Sequence, residues 1–564
     1  MDASLDGSTT NITHAAAPVE GPMTTQPVFL RALCTAVFAS AFALAGCGGG
    51  GSTPVSISVP IEEGAPAGGG SGHVPPSVRD AITAVQAKPA FASATWGFHV
   101  IDLASGEVLL NQAGGTSLVP ASTMKVFSVA TALERYGANY RFHTPVYRVG
   151  EVSNGMLAGD LVLVASGDFS FGLREQADGT LAFNNLPEVD HNSTYTGFPG
   201  GAFVKNSNPL AALDALAAQV KAAGIGAITG DVLIDDRLFE TYRNFPSGTI
   251  APIWVNENVI DITVTPGGAG EKPAIDWRPK SAAITVENDV TTVAGPAGPL
   301  TVTTPSPGVV RVSGSIAADS APVLTMSQIA DPSAFARTAF IEALARAGVT
   351  VAAQPLAAAG ALPDASAYLD AARVAERVSP PLSEYVRVIL KVSYNRGADL
   401  MLCLAAVKAG SRDCSDGLAE ELKVLGSHGI ASTYPFDGAG SNGNNRTTAS
   451  DIAGFLGAIA QTPTGIAIRN GMAVLGVDGS QAQNGLGTPA AGHVRIKDGD
   501  LIAGTAAGQL IAIAMTQAGF IDARSGRRLV YSVFVNNAAF WSFEDYAAAR
   551  AELASIVVAF QQSY

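Results

Sequence analysis

The sequence predicts an α+β protein whose main domain is an antiparallel sheet of five strands with helices on its faces. Apolar residues form two short strand-like segments near residue 100 and three more near the end of the chain. These predicted strands are residues 96–103, 107–110, 493–497, 509–515 and 529–537. A helix is predicted from about 544 to 560. The long interval between the two groups contains shorter strand-like runs broken by Gly and Pro, which predicts additional small β-rich domains.

A further helix is predicted directly after the first two strands, at Ser122-Thr123-Met124-Lys125. Apolar side chains recur there at helical spacing, and Gly137 provides a stop signal. Ser122 therefore lies at a helix N-terminus, where backbone N–H groups lack intrahelical partners and the dipole favours negative charge. Lys125 follows one turn later on the same face.

The pair of Ser122 and Lys125 suits nucleophilic catalysis. A serine hydroxyl is a weak nucleophile until a neighbour takes its proton, and a lysine can do so when burial or another cation lowers its pKa. The same spacing also occurs on ordinary surface helices with a solvated lysine. Two later motifs favour the catalytic interpretation. They are Ser393-Tyr394-Asn395 and Lys497-Asp498-Gly499.

Ser-x-x-Lys, Ser-x-Asn and Lys-x-Gly in this order are the three active-site elements of penicillin-recognising serine enzymes. From about residue 96 to its end, the chain resembles the D-alanyl-D-alanine carboxypeptidase/endopeptidase family, the class C low-molecular-mass penicillin-binding proteins. Further stretches carry the resemblance beside the three motifs. They are residues 119–125, 159–168, 230–236 with Phe239, 379–383, and 437–440 with Asn445-Arg446.

The resemblance implies a penicillin-recognising, transpeptidase-like catalytic domain that is interrupted by two inserted β-rich domains, one nested in the other. The expected catalytic domain comprises residues 77–145 and 326–564, and the inserted domains occupy 146–325. Residues 332–351 are predicted to form an amphipathic helix that returns towards the catalytic domain. Residues 175–208 match nothing in the resemblance and are predicted to be a polar loop insertion.

The resemblance also implies a catalytic role for five motif residues. Ser122 attacks the carbonyl between two D-alanines, and Lys125 accepts the serine proton. Ser393 relays a proton to the leaving amine. Asn395 bonds the substrate backbone and Lys125, and Lys497 adds positive charge that keeps Lys125 neutral and attracts a carboxylate.

The third motif is expected to bind substrate, and it departs from the family pattern. The resemblance implies that Asp498, Gly499 and Asp500 line the substrate-binding edge. It also places an oxyanion hole at the backbone N–H groups of Ser122 and Asp500. Both acidic residues stand where the family has threonine, and Ala439 stands where it usually has serine. A carboxylate at 498 is expected to repel the substrate's terminal carboxylate unless a raised pKa keeps it protonated or it is turned away.

The predicted function is a serine-type D-Ala-D-Ala carboxypeptidase/endopeptidase that acts on peptidoglycan stem peptides through an acyl-serine intermediate and binds β-lactams. The alternative is a catalytically impaired, peptidoglycan-binding lipoprotein of the same fold with a Lys-Asp-Gly motif. A β-lactamase is a weaker hypothesis, because compact β-lactamases lack so large an insertion.

No cofactor is expected, and the seven histidines show no metal-ligand spacing. A formal charge of −14 argues against a nucleic-acid partner.

The N-terminal segment predicts export and lipid anchoring. An apolar stretch at about 33–45 is short for a membrane span and suits a signal-peptide core. It leads into Leu-Ala-Gly-Cys, which is similar to a bacterial lipobox ending at Cys47. Residues 1–47 are therefore predicted to be a signal peptide, with Met23 as a candidate true start, and 48–76 a flexible linker. The expected location is the periplasm, with the membrane reached through a lipid anchor at Cys47.

Two cysteines, Cys403 and Cys414, lie outside that leader. An even pair in an exported protein predicts a disulfide, because the compartment is oxidising. Two buried thiols are the alternative.

Overall fold

The computed structural model describes residues 74–185, 190–191, 202–204, 207–244 and 247–564. The predicted signal peptide, the predicted lipidation residue Cys47 and nearly all of the predicted linker lie outside these residues, as does part of the 175–208 insertion. Among the described residues, no helix combines the length and the apolar character needed to cross a bilayer.

Helices and strands alternate irregularly along the described chain. The helices are α1 (Pro76–Gln86), α2 (Lys125–Tyr136), α3 (Ala211–Ala222), α4 (Pro332–Arg346), α5 (Leu382–Lys391), α6 (Asn395–Lys408), α7 (Asp416–Ser427), α8 (Ala449–Ile459), α9 (Pro463–Gly471) and α10 (Phe543–Ser563). The strands are β1 (Thr95–Asp102), β2 (Val108–Gln112), β3 (Arg141–Ser153), β4 (Met156–Val164), β5 (Ala227–Ile228), β6 (Val232–Asp235), β7 (Tyr242–Asn244), β8 (Gly248–Ile250), β9 (Val259–Thr265), β10 (Ala274–Arg278), β11 (Thr285–Val293), β12 (Thr301–Ser306), β13 (Val309–Ala317), β14 (Val323–Gln328), β15 (Thr350–Val351), β16 (Arg373–Pro381), β17 (Ala473–Val474), β18 (Val494–Gly504), β19 (Leu510–Asp522) and β20 (Arg528–Phe540).

The main sheet joins the early and late parts of the chain. Its strand order is β17-β18-β19-β20-β1-β2, and all neighbours are antiparallel. It contains the five predicted strands and the short edge strand β17, so the predicted antiparallel sheet is confirmed. Strand β18 extends further than predicted and carries the whole Lys497-Asp498-Gly499 motif within it.

Helices cover both faces of this sheet. Along β20, Tyr531 and Val533 belong to the apolar cluster of α1 and α10, whereas Val530 and Phe534 belong to the cluster of α2 and α8. Successive side chains of a strand point to opposite faces, so one strand can serve two cores. This double burial explains why β19 and β20 are almost continuously apolar, and it makes the sheet a rigid support for β18.

The region between the two halves of the main sheet is β-rich, as the sequence predicts. A second sheet has the order β15-β5-β4-β3-β16, with β6 also paired to β4, and two three-stranded sheets have the orders β10-β9-β14 and β11-β13-β12. The second sheet includes β3 and β16, which pair with each other from opposite ends of this region. The domain boundaries themselves remain a prediction.

The helix predicted at 332–351 is shorter than expected. Helix α4 ends at Arg346, and Gly348 then adopts a φ of 77°, a left-handed conformation that glycine enters without steric cost. The chain continues into β15, which pairs with β5. Helix α4 therefore ends before residue 351, and the turn after it leads the chain into the second sheet.

A disulfide joins Cys403 to Cys414 across the α6–α7 connection. Cys403 lies within α6, and Cys414 lies two residues before α7 begins. Both residues are buried. Since α6 begins at Asn395, the bond braces the helix that carries a residue of the second motif.

We expect the double substitution Cys403→Ser, Cys414→Ser to lower the free energy of unfolding by ~2–3 kcal/mol, because the bond closes a short loop and restricts the unfolded chain. Urea unfolding of protein purified from an oxidising compartment measures this difference. Reductant should reproduce the loss in the wild type and change nothing in the double variant. Two alkylatable thiols in the oxidised wild type would contradict the prediction.

Candidate active site

The predicted nucleophile lies in a tight turn at the start of α2. Ser122 belongs to the 3₁₀ turn Ala121–Met124, directly before Lys125 opens the α-helix. The turn is held from both sides through the carbonyl of Pro120, which accepts hydrogen bonds from Thr123 Oγ1 at 2.7 Å and Thr516 Oγ1 at 2.6 Å. This anchors the serine to strand β19 and leaves its side chain half-buried.

Lys125 is fully buried and contacts three acceptors. Its Nζ lies 2.7 Å from Ser122 Oγ, 2.7 Å from Asn395 Oδ1 and 2.6 Å from the carbonyl oxygen of Ala439. Burial, and secondly the charge of Lys497, hold the pKa of Lys125 well below its usual value. When the amine is neutral, the serine hydroxyl can donate along the same 2.7 Å contact, which is the geometry that a general base requires.

The second predicted motif forms the turn between α5 and α6. Ser393 has a φ of 57°, a conformation that few residues other than glycine adopt, and Asn395 begins α6. The turn brings Asn395 to Lys125, while Ser393 lies two residues earlier at the head of the same turn. Arg396 supports the turn by donating to the backbone carbonyl of Glu257.

Through Glu257, Arg396 connects the site to a buried network of charged side chains. Local patterns in the sequence do not reveal this network. Glu257 accepts from Arg174 Nε at 2.5 Å and lies 2.8 Å from His191 Nδ1, and His191 Nε2 lies 2.7 Å from Asp261. Burial alone would lower the pKa of His191, but the two carboxylates raise it to about 9. The members of the network are too far apart in the chain for a local pattern to join them.

The third motif lies beside the serine turn. A Cβ atom on Gly499 would lie 2.6 Å from the backbone nitrogen of Ser122 and 2.8 Å from that of Thr123. Only glycine permits β18 to approach the turn this closely, because a Cβ atom of any other residue would clash with the two backbone nitrogens. Lys497 is fully buried in the same strand. Ser122, Lys125, Asn395 and Gly499 therefore converge on one point.

The surroundings of Asp498 differ from the sequence expectation. Its carboxylate accepts from Ser480 Oγ at 2.7 Å and Gln481 Nε2 at 3.0 Å, and it pairs with Arg550 at 2.9 Å and Lys497 at 3.1 Å. Burial would raise its pKa, but Lys497 and Arg550 outweigh burial and hold the pKa below its usual value. A raised pKa therefore does not relieve the expected repulsion, because two cations and two neutral donors stabilise the ionised carboxylate.

The loop at 437–445, part of which carries the family resemblance, completes the site. The buried Asp399 accepts from the backbone nitrogens of Gly438 at 3.0 Å and Ala439 at 3.1 Å. These bonds hold the Ala439 carbonyl against Lys125. Burial, and secondly the neighbouring Asp437, raise the pKa of Asp399 to about 7.

We expect Asp399→Asn to reduce the loss of stability that the wild type undergoes as pH rises from about 4 to 7. In that window an unfolded aspartate has lost its proton and the native one retains it, so the native state binds more protons and its stability falls with rising pH. Glu421, whose pKa burial raises well above its usual value, adds a slope of the same sign that remains in the variant.

Urea unfolding at several pH values measures the slope for Asp399→Asn. The exposed Asp319→Asn provides a matched control that should follow the wild type. Equal slopes in wild type and Asp399→Asn would contradict a raised pKa for Asp399.

Comparisons of this sequence with protein families and with known proteins both find D-Ala-D-Ala carboxypeptidases. The family model described as the D-Ala-D-Ala carboxypeptidase 3 (S13) family matches residues 78–559. A D-alanyl-D-alanine carboxypeptidase from Actinomadura sp. is 29% identical over 457 residues, which cover 75% of this chain and 76% of that protein.

Solved structures show the same fold. The crystal structure of penicillin binding protein 4 from Haemophilus influenzae superposes with a TM-score of 0.63 at 18% identity, covering 85% of this chain and 99% of that one. The same protein complexed with a novel β-lactam gives a TM-score of 0.62 at 20% identity, with the same coverage of both chains. The predicted penicillin-recognising α+β fold is confirmed.

Proposed function

The chain belongs to the D-Ala-D-Ala carboxypeptidase 3 (S13) family, and from this premise we propose that Ser122 and Lys125 form its catalytic centre. The protein is a serine-type D-Ala-D-Ala carboxypeptidase that acts on peptidoglycan peptides. The observation that carries the assignment of the centre is the buried Lys125, whose Nζ lies 2.7 Å from both Ser122 Oγ and Asn395 Oδ1.

Acylation begins when Ser122 Oγ attacks the carbonyl carbon between the two D-alanines of a stem peptide. Neutral Lys125 takes the hydroxyl proton, and the C–N bond then breaks as Ser393 relays a proton to the departing D-alanine amine. The developing oxyanion accepts from the backbone N–H groups of Ser122 and Asp500. The close packing of Gly499 on the Ser122 nitrogen supports this arrangement, because it fixes the two segments against each other.

Deacylation completes the cycle. Water attacks the acyl-serine ester, releases the shortened peptide as a carboxylate and returns the proton to the serine oxygen. Lys497 keeps positive charge near Lys125 and attracts the terminal carboxylate of the substrate. β-Lactams present a similar carboxylate and acylate the same serine, a proposal supported by the β-lactam complex of the Haemophilus influenzae protein.

The alternative, a catalytically impaired peptidoglycan-binding lipoprotein, is not favoured. Its basis was the acidic third motif, and the Asp498 carboxylate is neutralised by Lys497 and Arg550. The decisive test is release of D-alanine from a peptide that ends in D-Ala-D-Ala, followed by mass spectrometry of the product. We expect a product shorter by one D-alanine. Peptide binding by folded protein without any release would support the impaired alternative.

The protein acts in the cell envelope, and we propose that it is held there by a lipid on Cys47. The supporting observations are the lipobox-like sequence before Cys47 and the Gly-rich linker after it. Cys47→Ala is expected to move the protein from the membrane fraction to the soluble periplasmic fraction, since the anchor is lost. Cys34→Ala, in the same leader, is the matched control and should stay with membranes. Membrane retention of Cys47→Ala, with no labelled fatty acid on the wild type, would contradict the proposal.

A further inference from the structure

The acidic residues of the third motif face the C-terminal helix. Side chains alternate along β18, and Gly499 is directed at the backbone of Ser122 and Thr123. Asp498 and Asp500 therefore lie on the opposite face, where α10 packs. This orientation separates the backbone of the motif, which meets the nucleophile, from the two carboxylates that replace the family's hydroxyls.

Arg550 of α10 contacts both carboxylates. Its Nη2 lies 2.9 Å from Asp498 Oδ2, and its Nε lies 3.5 Å from Asp500 Oδ2. The arginine side chain is 18% exposed and that of Asp498 only 8%, so solvent screens these charges poorly. Tyr546, one turn earlier on the same helix, also hydrogen-bonds Asp500.

Lys497 shares the same carboxylate. Its Nζ lies 3.1 Å from Asp498 Oδ1 and also donates to the Asp498 backbone carbonyl. Without Arg550, Lys497 would be the remaining cation, among the residues that the structure describes, that pairs with the buried Asp498. Asp500 would lose the cation beside it. The two aspartates would then neutralise the positive charge of Lys497. The proposed mechanism needs this charge, because it lowers the pKa of Lys125 and attracts the carboxylate of the ligand.

We propose that Arg550 is a positioning residue for the reaction, which compensates the two acidic substitutions of the third motif and keeps Lys497 available to the active site. The inference rests on the proposed function, because the role of Lys497 belongs to it. Arg550 does not contact the reacting atoms. It acts through Asp498 and Asp500, so its importance depends on those residues being acidic.

A double-mutant cycle tests this dependence. Arg550→Gln in the wild type is expected to lower the second-order rate constant of penicillin acylation by roughly tenfold or more, the effect of losing a buried charged hydrogen bond. In an Asp498→Thr, Asp500→Thr background the same substitution should change the constant by less than about threefold. Arg550→Lys should recover part of the wild-type rate, because it restores the charge without the bidentate geometry.

The exposed Arg346, which ends α4 and pairs with Asp214 of α3, provides the matched control. Arg346→Gln should leave acylation unchanged in both backgrounds. An equal loss from Arg550→Gln in the two backgrounds would overturn the inference, because a purely structural arginine costs the same whatever the motif residues are. No loss in the wild-type background would overturn it as well.

A thermal-unfolding cycle separates this inference from the proposed function. If wild-type protein is not acylated at all, the proposed function fails, and the melting temperatures of the same four proteins still report whether Arg550 compensates the carboxylates. We expect Arg550→Gln to lower the melting temperature more in the acidic background than in the threonine background. Equal shifts of the melting temperature in the two backgrounds would contradict the inference that Arg550 compensates the two carboxylates.

Discussion

Ser122→Ala is expected to abolish penicillin acylation and to reduce D-alanine release by about 10³-fold or more, because the variant lacks the oxygen that forms the acyl ester. The fold should persist. Lys125 keeps its contacts with Asn395 and the Ala439 carbonyl, and the turn remains anchored through Pro120. Intact-protein mass spectrometry after incubation with benzylpenicillin, with peptide mapping, measures the adduct and its position.

Ser117→Ala is the matched control, since this exposed serine lies five residues earlier in the chain. It should be acylated at the wild-type rate. A residual adduct on Ser122→Ala, or a wild-type adduct that maps to another residue, would show that the nucleophile has been wrongly identified.

Lys125→Gln is expected to lower the acylation rate constant by about 10²–10⁴-fold, the usual contribution of a general base. The amide can still hydrogen-bond Asn395 and Ala439, so the loss isolates proton transfer from packing. Lys423→Gln, which changes a lysine that is 67% exposed, is the control and should leave the rate unchanged. A rate within a few-fold of the wild type for Lys125→Gln would exclude Lys125 as the base.

The pH profile provides a second arm of this prediction. The base must be neutral, so the acylation rate should rise with pH through the pKa of Lys125. Burial lowers that pKa most, and the charge of Lys497 lowers it further. Lys497→Gln removes that charge, so Lys125 should hold its proton to higher pH and the rising limb should move to higher pH. An unmoved limb would mean that Lys497 does not act on Lys125.

Local patterns in the sequence were sufficient for the elements around the nucleophile. Apolar segments and turn residues predicted five strands of the main sheet, and helical spacing after Lys125 predicted α2, because these signals depend on residues close in the chain. The pairing of β3 with β16 was not predictable in this way, since β-strand partners can lie at any sequence separation. Local patterns also left two buried thiols as an alternative to the disulfide between Cys403 and Cys414. The choice depends on the distance between the two backbones, which the sequence does not specify.

The sequence by itself determined the order of the three motifs, the position of Ser122 at a helix N-terminus and the acidic character of the third motif. Only the tertiary structure decided what that acidity means. Arg550 reaches Asp498 because α10 packs on the main sheet, whereas Ser480 and Gln481 reach it from a 3₁₀ turn that follows β17. A charge is attractive or repulsive according to its nearest neighbours in space, and the order of residues along the chain does not specify those neighbours.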